Sequence, residues 1–283
     1  RSTLFPYTTL FRSRTGLEGF TSLLTVNHSY YSAPQGEWAY RVSDAVPAFD
    51  IPAGRFQTDN GFIEAYPTYE ARFNPQVTSA TLGTTWEINS TVTFESTIAY
   101  ADMKTRRMSK EGDGNLEINA EEIMIEPRVR LSGLDGRLTA LAGVYYFENS
   151  QDEYIDFGFA AGPYDDETTT KAVFAELVYA LRDDVDLTLG ARYENEQRRR
   201  VGQAFFTVDF DAEYSVFMPK AVLSWDIAAD TTVGVAVNRG YNGGGAAFTF
   251  DPPFVSYEYD EEYVWNYEAF FRTNLLDNRL RRF

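Results

Sequence analysis

Apolar and polar residues alternate along the chain from about residue 76 to its end, in stretches of about 10 to 14 residues. Such alternation places apolar side chains on one face of a β-strand and polar side chains on the other. In residues 186–196, for example, Leu189 and Tyr193 share one parity, whereas Arg192 and Glu194 share the other. The pattern therefore predicts an all-β chain built from strands with two different faces.

Short polar turns separate paired strands and recur about every 45 to 48 residues, which indicates a repeating hairpin. The connections at the opposite strand ends are longer and rich in Gly, Pro, Asp and Tyr. Short turns on one side and long loops on the other are typical of an antiparallel up-and-down β-barrel of the outer membrane. The short turns are at residues 89–90, 134–136, 183–184, 228–230 and 277–278, and the long connections are residues 104–118, 149–168 and 241–260.

Charged residues fall on one parity in strand after strand. An Arg or Lys that faces lipid at mid-depth costs about 2–4 kcal/mol, so the charged parity should face a wet lumen. We expect Leu177, Leu189, Val129 and Trp265 to face lipid. We interpret the charged parity as cross-strand ion pairs on a hydrated wall rather than as acid–base catalysts. This wall comprises Glu126, Arg128, Arg130, Glu176, Arg192, Glu194, Glu268 and Arg272.

Composition narrows the possible functions. The formal net charge of -17 disfavours a nucleic-acid partner. No apolar run approaches the roughly 20 residues of a membrane helix, whereas the 19 Tyr and 22 Phe suit aromatic rims at a membrane boundary. The chain has no cysteine, and His28 is its single histidine, so no metal site, catalytic triad or cofactor is expected. A soluble β-sandwich or propeller would have no need for aromatic rims.

Several segments follow one another in a specific order. A hairpin over residues 171–193 ends in Gly190-Ala191-Arg192-Tyr193, and Pro219 opens the apolar strand that follows. Next come the loop entrance Arg239-Gly240-Tyr241-Asn242-Gly243-Gly244 and the acidic, aromatic segment 264–270. In their order and spacing these segments resemble TonB-dependent receptors, especially those for siderophores. The resemblance covers roughly residues 16–283.

The resemblance implies a barrel of about 22 strands, filled by an N-terminal plug and energised through the TonB complex. Neither the plug nor a TonB box is visible in the sequence. We expect about ten strands, and therefore a partial, open sheet that lacks the plug and the C-terminal strands. Residues 3–13 resemble a translated sequencing adapter, so we expect residues 1–13 to be an artefact and residues 14–283 to be the partial barrel.

By this resemblance, the chain is part of an active-transport receptor in the bacterial outer membrane that takes up a scarce ligand such as a ferric siderophore. The implied partners are the TonB complex, the ligand, outer-membrane lipid and lipopolysaccharide. The candidate ligand-binding residues are Tyr241, Asn242, Gly243 and Gly244. A passive outer-membrane porin is the alternative, and an outer-membrane enzyme is disfavoured by the scarcity of histidine.

Overall fold

The computed structural model describes residues 3–4, 7–13, 17–34, 72–108, 115–156, 158, 160–204, 206–249, 255–275 and 280–282. These residues form one 13-stranded sheet and a separate two-stranded sheet. Among them, no helix is long and apolar enough to cross a membrane. The strands are β1 (Thr3–Leu4), β2 (Tyr7–Ser13), β3 (Phe20–Pro34), β4 (Arg72–Glu87), β5 (Val92–Met108), β6 (Asn115–Gly133), β7 (Leu138–Asp156), β8 (Ala161–Arg182), β9 (Val185–Gln203), β10 (Thr207–Ala228), β11 (Thr231–Asn242), β12 (Gly245–Phe248), β13 (Ser256–Tyr259), β14 (Glu262–Leu275) and β15 (Leu280–Arg282).

The main sheet is antiparallel, and its strands follow one another in chain order. From β3 to β11 each strand pairs with the next, and β11 then pairs with β14. Strands β1 and β2 both pair with β3, so β2 adds to one end of the sheet, while β15 pairs with β14 at the other. The two ends do not pair with each other among the described residues. The prediction of a partial, open, up-and-down sheet with about ten long strands is confirmed.

The short turns lie where the sequence predicts them, apart from the turn at residues 277–278, which lies outside the described residues. Asn89 builds the first turn, because its side-chain oxygen accepts hydrogen bonds from the backbone N–H groups of Thr91 and Val92. In the turn Leu134–Gly136, φ is 52° at Leu134, 53° at Asp135 and 89° at Gly136. Left-handed conformations of this kind reverse the chain tightly between two strands.

The predicted extents of the long connections are wrong. Residues 149–168 are almost entirely strand, because β7 continues to Asp156 and β8 begins at Ala161. Strands β7 to β10 contain 19, 22, 19 and 22 residues. A tilted strand needs only about 9–11 residues to cross a bilayer. The excess length extends the sheet beyond the membrane, on the side opposite the short turns.

The register places the two predicted sets of residues on opposite faces of the sheet. Leu177 pairs with Leu189, and Ala175, two residues before Leu177, pairs with Ala142, which also pairs with Val129. The charged face is the more buried of the two: Ala172 is 7% exposed, whereas its neighbour Val173 on the apolar face is 55% exposed. Side chains crowd together on the concave side of a curved sheet, so the charged face is the concave, inner face.

The outer face changes character at one level across four strands. Val144, Val173, Tyr193 and Phe217 are register neighbours and form the last apolar row. Above that row the outer face becomes polar. The next four rows are Tyr146, Lys171, Asn195 and Ser215; Glu148, Thr169, Gln197 and Glu213; Ser150, Glu167, Arg199 and Asp211; and Asp152, Asp165, Val201 and Asp209. We infer that the apolar row marks the upper edge of the hydrocarbon.

The inner face of β8 and β10 becomes more apolar above this level. Above the same level it carries a buried apolar cluster of Tyr164, Val208 and Phe210, which are 1%, 5% and 6% exposed. In the membrane half, by contrast, apolar side chains lie outside and charges lie inside. The outer face thus becomes polar where the strands leave the membrane, because water takes the place of lipid, while the inner face of β8 and β10 gains apolar side chains beside the charges of β9.

The facing of the strands can be tested in the complete receptor with spin labels. Labels at Leu177, Leu189, Val129 and Trp265 should be relaxed by lipid-soluble oxygen and protected from a water-soluble quencher, because these positions lie on the apolar face. Labels at the matched inner positions should show the reverse. A reversed pattern at most sites would contradict the register. The inner positions are Glu176, Arg192, Arg128 and Glu268.

The orientation of the sheet can be tested with epitope tags in the complete receptor. Tags between Met108 and Asn115, or between Asp156 and Ala161, should bind antibody on whole cells, because these connections join the strand ends that pass beyond the apolar belt. Tags at Asp135 or Asp183 should bind only after the outer membrane is permeabilised. Detection of the Asp183 tag on intact cells would show that the topology is inverted.

Candidate functional site

The inner face of β6 to β10 and β14 is the candidate functional surface. All eight residues of the predicted charged wall lie on this face, as the pairing of Arg128 with Glu95 and of Glu176 with Gly190 illustrates. Strand pairing brings together charges that are far apart in sequence. The expectation of cross-strand ion pairs can therefore be examined pair by pair.

Arg128 is the centre of the first ion-pair cluster. Its Nε donates to Glu95 at 2.7 Å and its Nη1 to Glu126 at 3.1 Å. Arg130 lies 3.6 Å from the other oxygen of Glu95. Glu95 is absent from the predicted wall, although the alternation of Thr93, Glu95 and Thr97 places it on the polar parity. One carboxylate thus holds two guanidinium groups in place on the adjacent strand.

A second cluster spans β7 to β10. Arg192 pairs with Glu194 at 2.5 Å, and its guanidinium lies 4.7 Å from the centre of the Tyr145 ring. Lys220 on β10 donates to Glu176 on β8 at 2.7 Å, over the intervening strand β9. The sequence analysis did not select Lys220, because the apolar residues around it obscure its parity. These pairs neutralise the charges of the wall while leaving them hydrated.

Glu268 and Arg272 lie on the inner face of β14 but are not joined to each other. Asn266 donates a hydrogen bond to Glu268, and the Arg272 guanidinium lies 4.6 Å from the centre of the Phe270 ring. Among the described residues, neither side chain has an ion-pair partner. The cross-strand pairing expected for the whole wall therefore extends to only part of it in the described region.

A depression of about 320 Å³ opens on the inner wall around Gly190. Glycine has no side chain to fill this space, and its neighbours form the rim. Glu176, Arg192, Lys220, Phe174 and Met218 are among the lining residues. Because Lys220 is already paired with Glu176, the depression does not present a concentrated charge of either sign.

A third cluster lies in the part of the strands above the membrane. Arg200 donates to Asp166 at 2.5 Å and to Glu153 at 2.7 Å, and its guanidinium lies 5.2 Å from the centre of the Tyr164 ring. Burial alone would lower the pKa of Arg200, but the hydrogen bond to Asp166 and the charge of Glu153 outweigh it, so this pKa is raised. Arg200 therefore ties three strands together as a permanent cation.

The four predicted ligand-binding residues lie where β11 ends. Asn242 is exposed, and Tyr241 is half-buried with its hydroxyl 3.4 Å from a carboxylate oxygen of Glu196. Gly243 and Gly244 are buried. Their surroundings give the two glycines a packing role, whereas ligand binding by the four residues stays a prediction.

His28 does not belong to a cluster of metal-ligand side chains in the described part of the chain. His28 lies in β3, where its Nδ1 is 2.9 Å from the Thr78 hydroxyl oxygen on β4. Within the described residues, no group of three or more His, Cys, Asp or Glu side chains is arranged to hold a metal ion.

Replacing Arg200 with Met tests the third cluster in the complete receptor. The change leaves two half-buried carboxylates beside each other, so we expect it to destabilise the upper ends of β7 to β9 by about 1–3 kcal/mol. Backbone hydrogen exchange in these ends should speed up accordingly. The control is Arg199→Met, because Arg199 faces outward and lies 3.9 Å from an exposed Glu167. Equal effects of the two substitutions would contradict the role given to Arg200.

Solved structures share the fold of this chain. The ferric yersiniabactin uptake receptor FyuA from Yersinia pestis superposes with a TM-score of 0.73 at 14% identity, over 96% of this chain and 43% of its own. The alcaligin outer membrane receptor FauA from Bordetella pertussis gives 0.71 at 13% identity, over 99% and 42%. The closed form of the ferric-catecholate import receptor Fiu from Escherichia coli K12 gives 0.72 at 11% identity, over 99% and 50%.

This chain therefore spans half or less of the length of each of these three receptors. The sequence itself matches the family model described as "TonB dependent receptor-like, beta-barrel" over residues 7–282. That match covers nearly all of the described sheet, including its apolar outer belt and its charged inner wall. The chain belongs to the TonB-dependent receptor-like β-barrel family of the bacterial outer membrane.

Proposed function

We propose that this chain is the barrel-wall portion of an active-transport receptor that imports a ferric siderophore or a similar scarce ligand, energised through TonB. The observation that carries the proposal is the two-faced sheet, apolar outside and ion-paired inside, together with the family match over residues 7–282. Three receptors of similar fold are described as receptors for ferric yersiniabactin, for alcaligin and for ferric catecholate. The ligand class comes to this chain by analogy with them, and the use of TonB by analogy with the family.

The inner wall supports the proposal through its chemistry. From β6 to β10 its charges are paired on the wall itself, as in the Lys220–Glu176 and Arg128–Glu95 pairs. A hydrated wall of balanced charge can border a folded plug or a passing polar solute without trapping either. In the complete receptor, we assign this surface the role of the contact with the plug, through which TonB acts.

The ligand enters, in this proposal, from the side of the long connections. Asn242 is the predicted ligand-binding residue with the most accessible side chain, and Tyr241 lies beside it. Gly243 and Gly244 act as their support, since both are buried. Binding by Asn242 would use its amide as both donor and acceptor toward a polar ligand.

The outer rows above the apolar belt provide the proposed contact with lipopolysaccharide. Asp152, Asp165, Asp209, Asp211 and Glu213 lie in these rows, so the outer face there is acidic. Lipopolysaccharide carries phosphate groups, and divalent cations can bridge carboxylates to phosphates. This contact would hold the upper ends of β7 to β10 within the outer leaflet.

Uptake measurements distinguish an active receptor from a passive porin. Cells that produce the complete receptor under iron limitation are given radioactive ferric complexes of a catecholate, a hydroxamate and citrate. We expect saturable uptake of at least one complex, lost in TonB-deficient cells and on addition of a protonophore. Cells without the receptor are the control. Receptor-dependent uptake that is unsaturable and unchanged without TonB would support a porin instead.

A further inference from the structure

The hairpin formed by β12 and β13 lies over the inner face of the sheet, above the membrane. We call its described residues, 243–249 and 255–261, the strap. Ala246 of the strap packs against the buried cluster of Tyr164, Val208 and Phe210, which belongs to the inner face of β8 and β10. The strap therefore covers apolar side chains of the wall from the lumen side.

Two of three successive glycines, Gly243 and Gly244, bring the strap backbone into contact with the wall. A side chain on Gly243 would place its Cβ 2.3 Å from a carboxylate oxygen of Glu196, and one on Gly244 would place it 2.4 Å from the Tyr214 hydroxyl. On Gly245 the same atom would lie 2.5 Å from the hydroxyl of Tyr259, within the strap itself. A side chain at Gly243 would therefore displace the ends of Glu196 and Arg198, and one at Gly244 would collide both with Tyr214 and with the strap's own backbone at Tyr259.

Arg198 fastens the strap to β9. Its Nη1 lies 3.5 Å from the carbonyl oxygen of Gly243 and 3.2 Å from that of Gly244, and it donates to both. Its Nε lies 2.6 Å from Glu196, which is only 7% exposed. A half-buried guanidinium, paired with a buried carboxylate, thus also donates to backbone carbonyl groups of the strap.

We propose that the strap is a fixed constriction of the extracellular mouth, which limits the size of the molecules that reach the inner wall beneath it. Lifting it would uncover the apolar cluster at Ala246 and remove the carbonyl partners of Arg198. Both losses oppose opening, so we expect the strap to stay in place. The constriction itself is inferred from these contacts, whereas the statement that molecules enter from the extracellular side rests on the proposed function.

Cysteine labelling in the complete receptor, on whole cells, tests this proposal without measuring uptake. The chain has no cysteine, and any cysteine elsewhere in the receptor is replaced with Ser. The reporter is Ala212→Cys, because Ala212 packs against the covered cluster and pairs with Arg198. The reference is Ala161→Cys, because Ala161 is exposed at the first residue of β8, beyond the outer rows proposed to contact lipopolysaccharide. Each is treated with a small maleimide and with a bulky poly(ethylene glycol) maleimide.

With the strap in place, we expect the bulky reagent to label the Ala212 reporter at least about tenfold more slowly than the reference, since labelling of a covered side chain requires local opening. The small reagent should discriminate less. Gly244→Val should abolish this size discrimination, because the new side chain would collide with Tyr214 on the wall and with the strap backbone at Tyr259 and so disrupt the seating of the strap. Gly133→Val is the matched control, because no atom lies within 4 Å of the Cβ position at Gly133.

A second variant, Arg198→Ala, keeps the test decisive where Gly244→Val fails to reach the outer membrane. It removes the fastening without adding bulk, and we expect it to reduce the size discrimination in the same direction. Equal labelling of the Ala212 reporter and the reference by the bulky reagent in the otherwise unaltered receptor would overturn the proposal. Discrimination that persists in both variants would overturn it as well. Neither result would bear on TonB-dependent uptake, so the proposal for the strap can be refuted while the proposed transport function stands.

Discussion

A strand that crosses a membrane must find a hydrogen-bond partner for nearly every backbone N–H and C=O group, because hydrocarbon offers none. Strands β4 to β10 meet this demand with nearly continuous antiparallel pairing to a neighbour on each side. Between β6 and β7, for example, the pairing is interrupted at Glu126 and Pro127, where proline has no N–H to donate. The remaining features of the sheet depend on this pairing, since it decides which side chains become neighbours and which face each one takes.

Within this paired sheet, the solvent that each face meets, lipid or water, determines whether its side chains are apolar or polar. Below the row of Val173 and Tyr193 the outer face meets lipid and is apolar, whereas the inner face meets water and carries ion pairs. Above it the outer face meets water, and the inner face gains a small core around Phe210. The strap completes that core, so the extracellular part of the sheet has an apolar interior of its own. This small core explains why strands of 22 residues remain ordered well beyond the bilayer.

The sequence was sufficient to predict the strand class, the short turns and the facing of each strand. These follow from local signals: parity, and turn residues such as Asn89. The upper strand ends could not be predicted, because the outer parity is no longer apolar there and acidic residues such as Asp165 and Asp166 resemble a loop. The ion pairs of Glu95 and Lys220 could not be assigned either, because they depend on register between strands. Gly243 and Gly244 seemed suited to a ligand entrance, but their burial against Glu196 and Tyr214 emerges only in three dimensions.

The difference between the two faces of each strand also constrains how such strands can change in length. One residue inserted into β9 between Leu189 and Tyr193 would exchange the two faces of everything beyond it. Arg198 and Arg200 would then point outward, and Arg199 would enter the small core. Because both halves of the strand are two-sided, no part of it would tolerate the slip. Insertions or deletions of two residues preserve parity, so length variation among homologous strands should occur in even steps, with odd steps confined to turns and bulges.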